Sequence, residues 1–466
     1  MTCIDHARSM HLFRRSLSEA KRAPKARDRP QRGEFVIRDA CILTMDPSLG
    51  ELRRASIHVR DGTIVAVQQD LRLPNGVRVI SGENAIVLPG LIDTHWHLWH
   101  SLFRSFDGDR PDIGFYPTIN RFGAVMTPDD MYNSARLGTA EALNAGITTV
   151  HSWCHNIRSK AHAEGAVFVV RDSGLRARWS FGQRLDQSDK ELIRLDDMVS
   201  MQKDWSQYSN SGLIDMGMAW RGMYRSEWAP AEVYRTEFDK ARSLGLPISA
   251  HIATTAARTG HIEAHYKAGL LGPYLNIVHA VGSRPDEVQM VRESGATMSI
   301  TPLTEMRAGY GSVKLLEYLD AGVKVAIGID NAPHAGSADM SKAMSACVGV
   351  ANMQTANEYR LSPRRALQLA TIDGAQVLGI GNKVGSLTPG KRADLIMVST
   401  SGLNMGVFTD PVNMIVECMQ PANIELVSVD GRLLKDRGKL TATDSEAIIG
   451  DARQSLAQIR TRAAWK

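Results

Sequence analysis

Two textures of apolar and polar residues share this chain. From Glu34 to about Ser81 the apolar positions follow strand spacing, in FVIRDACILTM, SIHVRDGTIVAV and VRVIS, with Asp61-Gly62 as a hairpin turn. The same texture returns in ADLIMVS (Ala393 to Ser399) and in IELVSVDGRLLKD (Ile424 to Asp436), with a turn at Asp430-Gly431. A few isolated strands cannot bury a face, so both chain ends are predicted to build one small β-sandwich domain, residues 35–87 and 381–440. Between them, residues 88–380 alternate short β-rich runs with longer amphipathic stretches. Eight runs qualify as strands: IVLPGLIDTHWH, GITTVHSWCHN, LRARWSFGQ, LIDMGMAWRG, LPISAHI, LNIVHAV, ATMSITPL and VKVAIGIDN. Helical patterns such as TPDDMYNSARLGTAEALNAG lie between them, with Pro near the start and Gly past the end. Eight such repeats predict an α/β protein, a (β/α)8 TIM-like barrel. The rival is an open doubly wound sheet, whose GxGxxG fingerprint is absent. Residues 441–466 read as a C-terminal helical tail.

Composition narrows the class further. At 43% hydrophobic and 23% charged residues the 466-residue chain is globular, and no apolar run is long enough to span a bilayer. The net charge of +5 resides in residues 1–34, with nine Lys or Arg against four Asp or Glu; the rest holds 46 of each sign. That segment reads as a disordered basic tail, and no nucleic-acid footprint is expected on the folded body. Five scattered cysteines without a CxxC pair favour reduced thiols and a cytoplasmic protein.

Metal-competent side chains cluster where strands end. His95 and His97 close the first strand, His251 ends the fifth, His279 the sixth and Asp330 the eighth. In a barrel, active sites form at that rim, so four imidazoles and a carboxylate are predicted to converge there as a metal site. The same rule places Trp99, His100, His155, Gln183, Trp220 and Arg221 as substrate contacts, an aromatic pocket with a few hydrogen-bonding groups.

At these residues the chain resembles the metal-dependent amidohydrolase superfamily, in the branch of cytosine deaminase and chlorotriazine hydrolases. The motifs are PGLIDTHWH (Pro89 to His97), AGITTV (Ala145 to Val150), His251-Ile252, IVHA (Ile277 to Ala280), AIGID (Ala326 to Asp330) and GSLTPGKRADLIMV (Gly385 to Val398). The resemblance implies that His95, His97, His251 and Asp330 ligate a metal and that His279 sits beside it. Asp330 and His279 are then the catalytic pair. Binuclear members usually carry a lysine at the end of the fourth strand; here LIDMGMAWRG has none. One divalent ion per chain is therefore expected, Zn²⁺ first, with Fe²⁺, Mn²⁺ and Co²⁺ also suited to nitrogen and oxygen ligands.

One departure bears on the reaction. Deaminases of this branch usually carry HxxE after the fifth strand, the glutamate shuttling a proton to the ring nitrogen, and here the stretch is His251-Ile252-Ala253-Thr254. A hydroxyl cannot protonate a heterocycle. The expected activity is hydrolysis of a non-peptide C–N bond of amide, urea, carbamate or thiocarbamate type, in a small aromatic or apolar molecule. The alternative is deamination of a nucleobase-like or triazine ring, with Glu305 in TPLTEM as the candidate substitute acid. The expected partners are the small-molecule substrate and further copies of the chain, with neither nucleic acid nor membrane.

Overall fold

The computed structural model describes residues 29–106, 108–209, 211–225 and 227–465. The expectation of a disordered tail falls mostly on residues 1–28, outside the described residues. Residues 29–34, placed in the tail from sequence, are tied down: Arg32 Nε donates to Asp430 Oδ2 at 2.7 Å and Gly33 N to Gly431 O at 3.3 Å.

The first five strands are β1 (Phe35–Leu43), β2 (Glu51–Arg60), β3 (Thr63–Gln68), β4 (Arg78–Ser81) and β5 (Ala85–Pro89). The last four are β14 (Leu395–Ser399), β15 (Ile424–Val429), β16 (Arg432–Asp436) and β17 (Lys439–Leu440). They form one mixed sheet in the order β17-β16-β15-β14-β5-β1-β2-β3, with β4 beside β1. The two chain ends join where β5 and β14 pair antiparallel, from Leu395 opposite Pro89 to Ser399 opposite Ala85. The sheet curls so that Ile64 of β3 bonds Lys391 and Gly390, just ahead of β14, around a core that includes Ile37, Ile57, Val87 and Leu395. Both turns read from sequence have positive φ at two residues, 51° and 79° at Asp61-Gly62 and 55° and 73° at Asp430-Gly431, matching the twist of a tight hairpin.

The barrel strands are β6 (Leu91–Trp96), β7 (Ile147–Cys154), β8 (Arg176–Gly182), β9 (Ile214–Trp220), β10 (Ile248–Ile252), β11 (Leu275–His279), β12 (Thr297–Ile300) and β13 (Val325–Ile327). Neighbours pair in parallel from β6 to β13 in sequence order. The run IVLPGLIDTHWH divides at Gly90: Ile86 to Pro89 belong to the sheet and Leu91 to Trp96 to the barrel. Closure comes from a bridge between Trp96 and Asp330, in which His97 N donates to Asp330 O at 2.6 Å and Asp330 N to His95 O at 2.7 Å. Gly328 permits this approach, since a Cβ there would lie 2.8 Å from the His95 backbone.

The inter-element stretches are helical for local reasons. Pro128–Asn144 starts at a capping box in which Thr127 Oγ1 accepts from Asp130 N and the Asp130 carboxylate accepts from Thr127 N. The C-terminal helix Ser445–Arg462 is capped by Asp444 and packs on Pro128–Asn144, through Arg136 to Asp451 at 2.6 Å and Asn133 to Ser455 at 2.8 Å. At the barrel base a buried Arg176–Asp394 pair, 2.7 and 3.0 Å, links β8 to the sheet. Among the described residues, no helix is long and apolar enough to cross a membrane.

Candidate active site at the barrel mouth

The histidines of β6, β10 and β11 meet Asp330 at the carboxyl end of the barrel. The ligand atoms of His95, His251, His279 and Asp330 all lie within 4.8 Å of one another. His97, one residue past β6, joins them with Nε2 3.3 Å from Asp330 Oδ1. His95 Nε2 is 3.3 Å from the same oxygen and 3.1 Å from His251 Nε2. All five residues expected from the sequence are thus in one cluster.

Backbone and neighbours aim these groups. His279 and Asp330 adopt φ of 73° and 68°, left-handed values that cost a non-glycine residue about 1–3 kcal/mol and mark positions held by their surroundings. Asp93 Oδ1 accepts from His95 N at 3.0 Å and from Ile329 N at 3.2 Å, fastening the first and last strands beneath the site. Burial pushes the Asp93 carboxyl well above its ordinary range. His97 Nδ1 donates to Trp153 O at 3.0 Å, which leaves a lone pair on Nε2.

That tautomer makes the cluster fit a cation. The His97 Nε2 lone pair faces a carboxylate oxygen, so acceptor meets acceptor there unless positive charge lies between them, and the His95 and His251 Nε2 atoms converge beside it. Burial holds His97 at about 3 and lowers His95 and His251 from the usual imidazole value, so these rings are neutral at pH 7. For Asp330, burial acts to raise the carboxyl, but the His95 hydrogen bond and the surrounding imidazoles outweigh it and keep it well below the carboxylate range. Neutral imidazoles, with His97 and His279 steered by bonds at Nδ1, and one ionised carboxylate are the donor set of a divalent metal site.

The cluster forms one end of a cavity of about 370 Å³. His100, Trp153, His155, Gln183 and Thr254 line it, as do Tyr116, Arg225, Arg258 and Tyr310 from the loops above the barrel.

The amidohydrolase family model matches residues 86–434. The chain belongs to the amidohydrolase family. It is accordingly a hydrolase, and the match spans the whole barrel, the return strands β14 and β15 and the start of β16. This amidohydrolase is 24% identical over 441 residues to a 5′-deoxyadenosine deaminase of Methanosarcina acetivorans, covering 92% of this chain and 99% of that one. It is 27% identical over 399 residues to a 5-methylthioadenosine/S-adenosylhomocysteine deaminase of Carboxydothermus hydrogenoformans, covering 82% and 88%. In fold it resembles a zinc-bound adenosine deaminase from Xanthomonas campestris, with TM-score 0.80 at 23% identity over 93% of this chain and all of that one. It also resembles an atrazine chlorohydrolase of Arthrobacter aurescens complexed with zinc, with TM-score 0.80 at 21% identity over 91% of this chain and all of that one.

The structure redistributes the remaining expected contacts of this amidohydrolase. Arg221 faces the cavity rim, but its guanidinium is engaged with Glu237 at 2.6 Å and with the Ser188 carbonyl at 2.7 Å. Trp220, its neighbour on the strand, points the other way, as strand alternation requires, and packs on Phe238 and His265 outside the barrel. Trp99 is buried and donates from Nε1 to His155 Nδ1 at 3.2 Å, so it orients a lining residue and does not line the cavity itself. Glu305 is neither a loop charge nor a substrate contact. On the helix Pro302–Arg307 it is fully buried, with Oε1 3.2 Å from His279 Nδ1 and 2.9 Å from Thr301 N. Arg225, Arg258 and Tyr310 escaped the sequence reading because they lie beyond the strand ends on loops without periodicity, and Tyr116 because it sits on the helix Phe115–Gly123, far past β6. Extending the rim rule into the loops after β9, β10 and β12 would have found the first three.

Proposed function

We propose that this amidohydrolase is a mononuclear metal-dependent aminohydrolase, replacing an exocyclic amino group on a small aromatic heterocycle by oxygen with release of ammonia. The observation that carries the reading is the convergence of His95, His97, His251, His279 and Asp330 at one end of a single cavity. The deaminase names of relatives matching along most of the chain favour aminohydrolysis over the amide-type hydrolysis that Thr254 suggested from sequence.

In this reading His95, His97, His251 and Asp330 hold one divalent ion, Zn²⁺ foremost. Such an ion supplies Lewis-acid polarisation and lowers the pKa of water from 15.7 toward about 7. Asp330, ionised, accepts the proton of the attacking water and passes it to the departing nitrogen. His279, with Nδ1 donating to Glu305, turns its Nε2 lone pair toward the attacking water, which it orients as a hydrogen-bond acceptor. Trp153 closes the inner wall, its ring 4.3 Å from that of His251, and limits water there.

A second reading rests on Thr254. Among the described residues its buried hydroxyl has no hydrogen-bond partner and Asp330 is the one carboxylate of the lining, and it lines the cavity where deaminases of the branch usually carry glutamate. Hydrolysis of an amide, urea, carbamate or thiocarbamate needs no ring protonation, so this site suffices for it. The readings separate by product. Metal-loaded protein is incubated with 5′-deoxyadenosine, 5-methylthioadenosine and aminotriazines, and in parallel with phenylureas, anilides and carbamates. Ammonia from the ring compounds upholds the first reading; amine release from the second group alone replaces it with the second.

A further inference from the structure

Among the described residues the cavity lining carries three arginines against a single carboxylate. Arg221 is accounted for, its charge met by Glu237 through Nη2 at 2.6 Å and Nε at 3.2 Å. Arg225 and Arg258 are not. Arg225 reaches only main-chain oxygens, those of Gln187 at 3.3 Å and of Leu185. Arg258 Nη2 donates to Arg225 O at 3.1 Å, and its guanidinium lies 5.3 Å from the centre of the Tyr224 ring. Neither makes an ion pair among the described residues. A guanidinium has five N–H donors, so both retain several, on loops that follow β9 and β10.

We infer that Arg225 and Arg258, together with the Tyr116 hydroxyl, form an anion subsite that receives a carboxylate or phosphate borne by the substrate. The inference rests on the proposed function, with the reacting ring at the His–Asp end and the anionic group at the arginine wall. Burial pulls Arg225 below the usual guanidinium value by more than the charges of Asp189 and Asp186 raise it, so an anion in the cavity offsets a cost that remains. A planar fork of donors matches a carboxylate or phosphate in two parallel bonds, as an ammonium would not. Tyr116, on the helix Phe115–Gly123, brings its hydroxyl to the same space, 2.9 Å from that of Tyr310. Main-chain bonds account for how the two side chains are held; they leave unexplained why two cations without an ion pair among the described residues face the cavity.

The test uses the zinc-loaded full chain and three ligands with one ring system: neutral 5′-deoxyadenosine, adenosine 5′-carboxylate and adenosine 5′-monophosphate. In the wild type, kcat/KM is expected to favour one of the anionic forms, and which one identifies carboxylate or phosphate as the group recognised. Arg225→Met and Arg258→Met should each lower the ratio of anionic to neutral kcat/KM about tenfold, with Arg258→Lys recovering part of it. Calorimetric titration with inorganic phosphate and with glutarate supplies a readout independent of turnover, in which the Met variants should bind about tenfold more weakly. An unchanged ratio and unchanged anion affinity in both Met variants would overturn the subsite and leave the arginines as loop clamps. If no ring compound releases ammonia, the aminohydrolase reading fails, and the anion titrations still decide the subsite. Should Arg225→Met prove unfolded by its melting curve, the Arg258 pair decides alone.

Discussion

His279 turns its Nδ1 to within 3.2 Å of Glu305 Oε1, and the Thr301 hydroxyl lies 3.1 Å from the same nitrogen. This contact fixes which ring atom enters the cavity. Losing the carboxylate that orients such an imidazole typically costs about 10–100-fold in activity or metal affinity. Glu305→Gln, close in shape, is expected to lower kcat within that range while the protein still binds its ion; steady-state kinetics with metal analysis checks it. Wild-type kcat in the variant would show that the contact has no bearing on turnover.

His97→Ala removes a donor whose lone pair is fixed by Trp153, and Asp330→Asn removes the one ionised carboxylate of the site. Both are expected to abolish turnover, the first also with loss of bound metal. Elemental analysis of the purified variants, alongside activity, is the measurement, and full activity in either variant refutes the site.

Thr254 lines the cavity with an unpartnered hydroxyl, so Thr254→Glu places a carboxyl facing the same space. A positioned general acid contributes about 10²–10⁴-fold. If ring protonation limits the wild type, the variant should release ammonia from an aminoheterocycle at least about tenfold faster. A wild type that already deaminates such a ring efficiently, with no gain in the variant, means that another group supplies the proton.

The metal-free protein is expected to lose stability as the medium is acidified. In the unfolded chain an imidazole takes its proton near 6.5, whereas burial makes the folded protein refuse one at His97 until about 3. Between those values the unfolded state binds more protons, so falling pH favours unfolding throughout the window, with His95 and His251 acting in the same direction. Asp330, held low when folded, adds to the loss once the pH falls below 3.8. Urea midpoints of metal-free protein measured from pH 7 to 4 should decline steadily, and less steeply in His97→Ala. A flat profile would contradict the neutral, buried imidazoles.

Much of this site could be read before folding. The eight strand runs, both Asp-Gly turns and the five metal-competent residues are visible because strand alternation and turn chemistry are local, and a barrel sends every strand end to one rim. Glu305 shows where that reasoning stops. It occupies a rim position, yet its helix carries the carboxylate back against His279 and away from the cavity. Trp220 and Arg221 show the same limit, since rank along a strand cannot reveal which neighbour faces inward until register is set.

By itself, then, the sequence determined the architecture, the family and the identity of the groups able to hold an ion, because these depend on spacing between near neighbours and on motifs of a few residues. Only the tertiary structure decided that His97 Nε2 faces Asp330, that Glu305 supports His279, and that Arg225 and Arg258 stand in the cavity wall without an ion pair among the described residues. Those relationships join residues far apart in the chain, and their geometry exists only once the barrel closes through Trp96 and Asp330 and its loops pack above it.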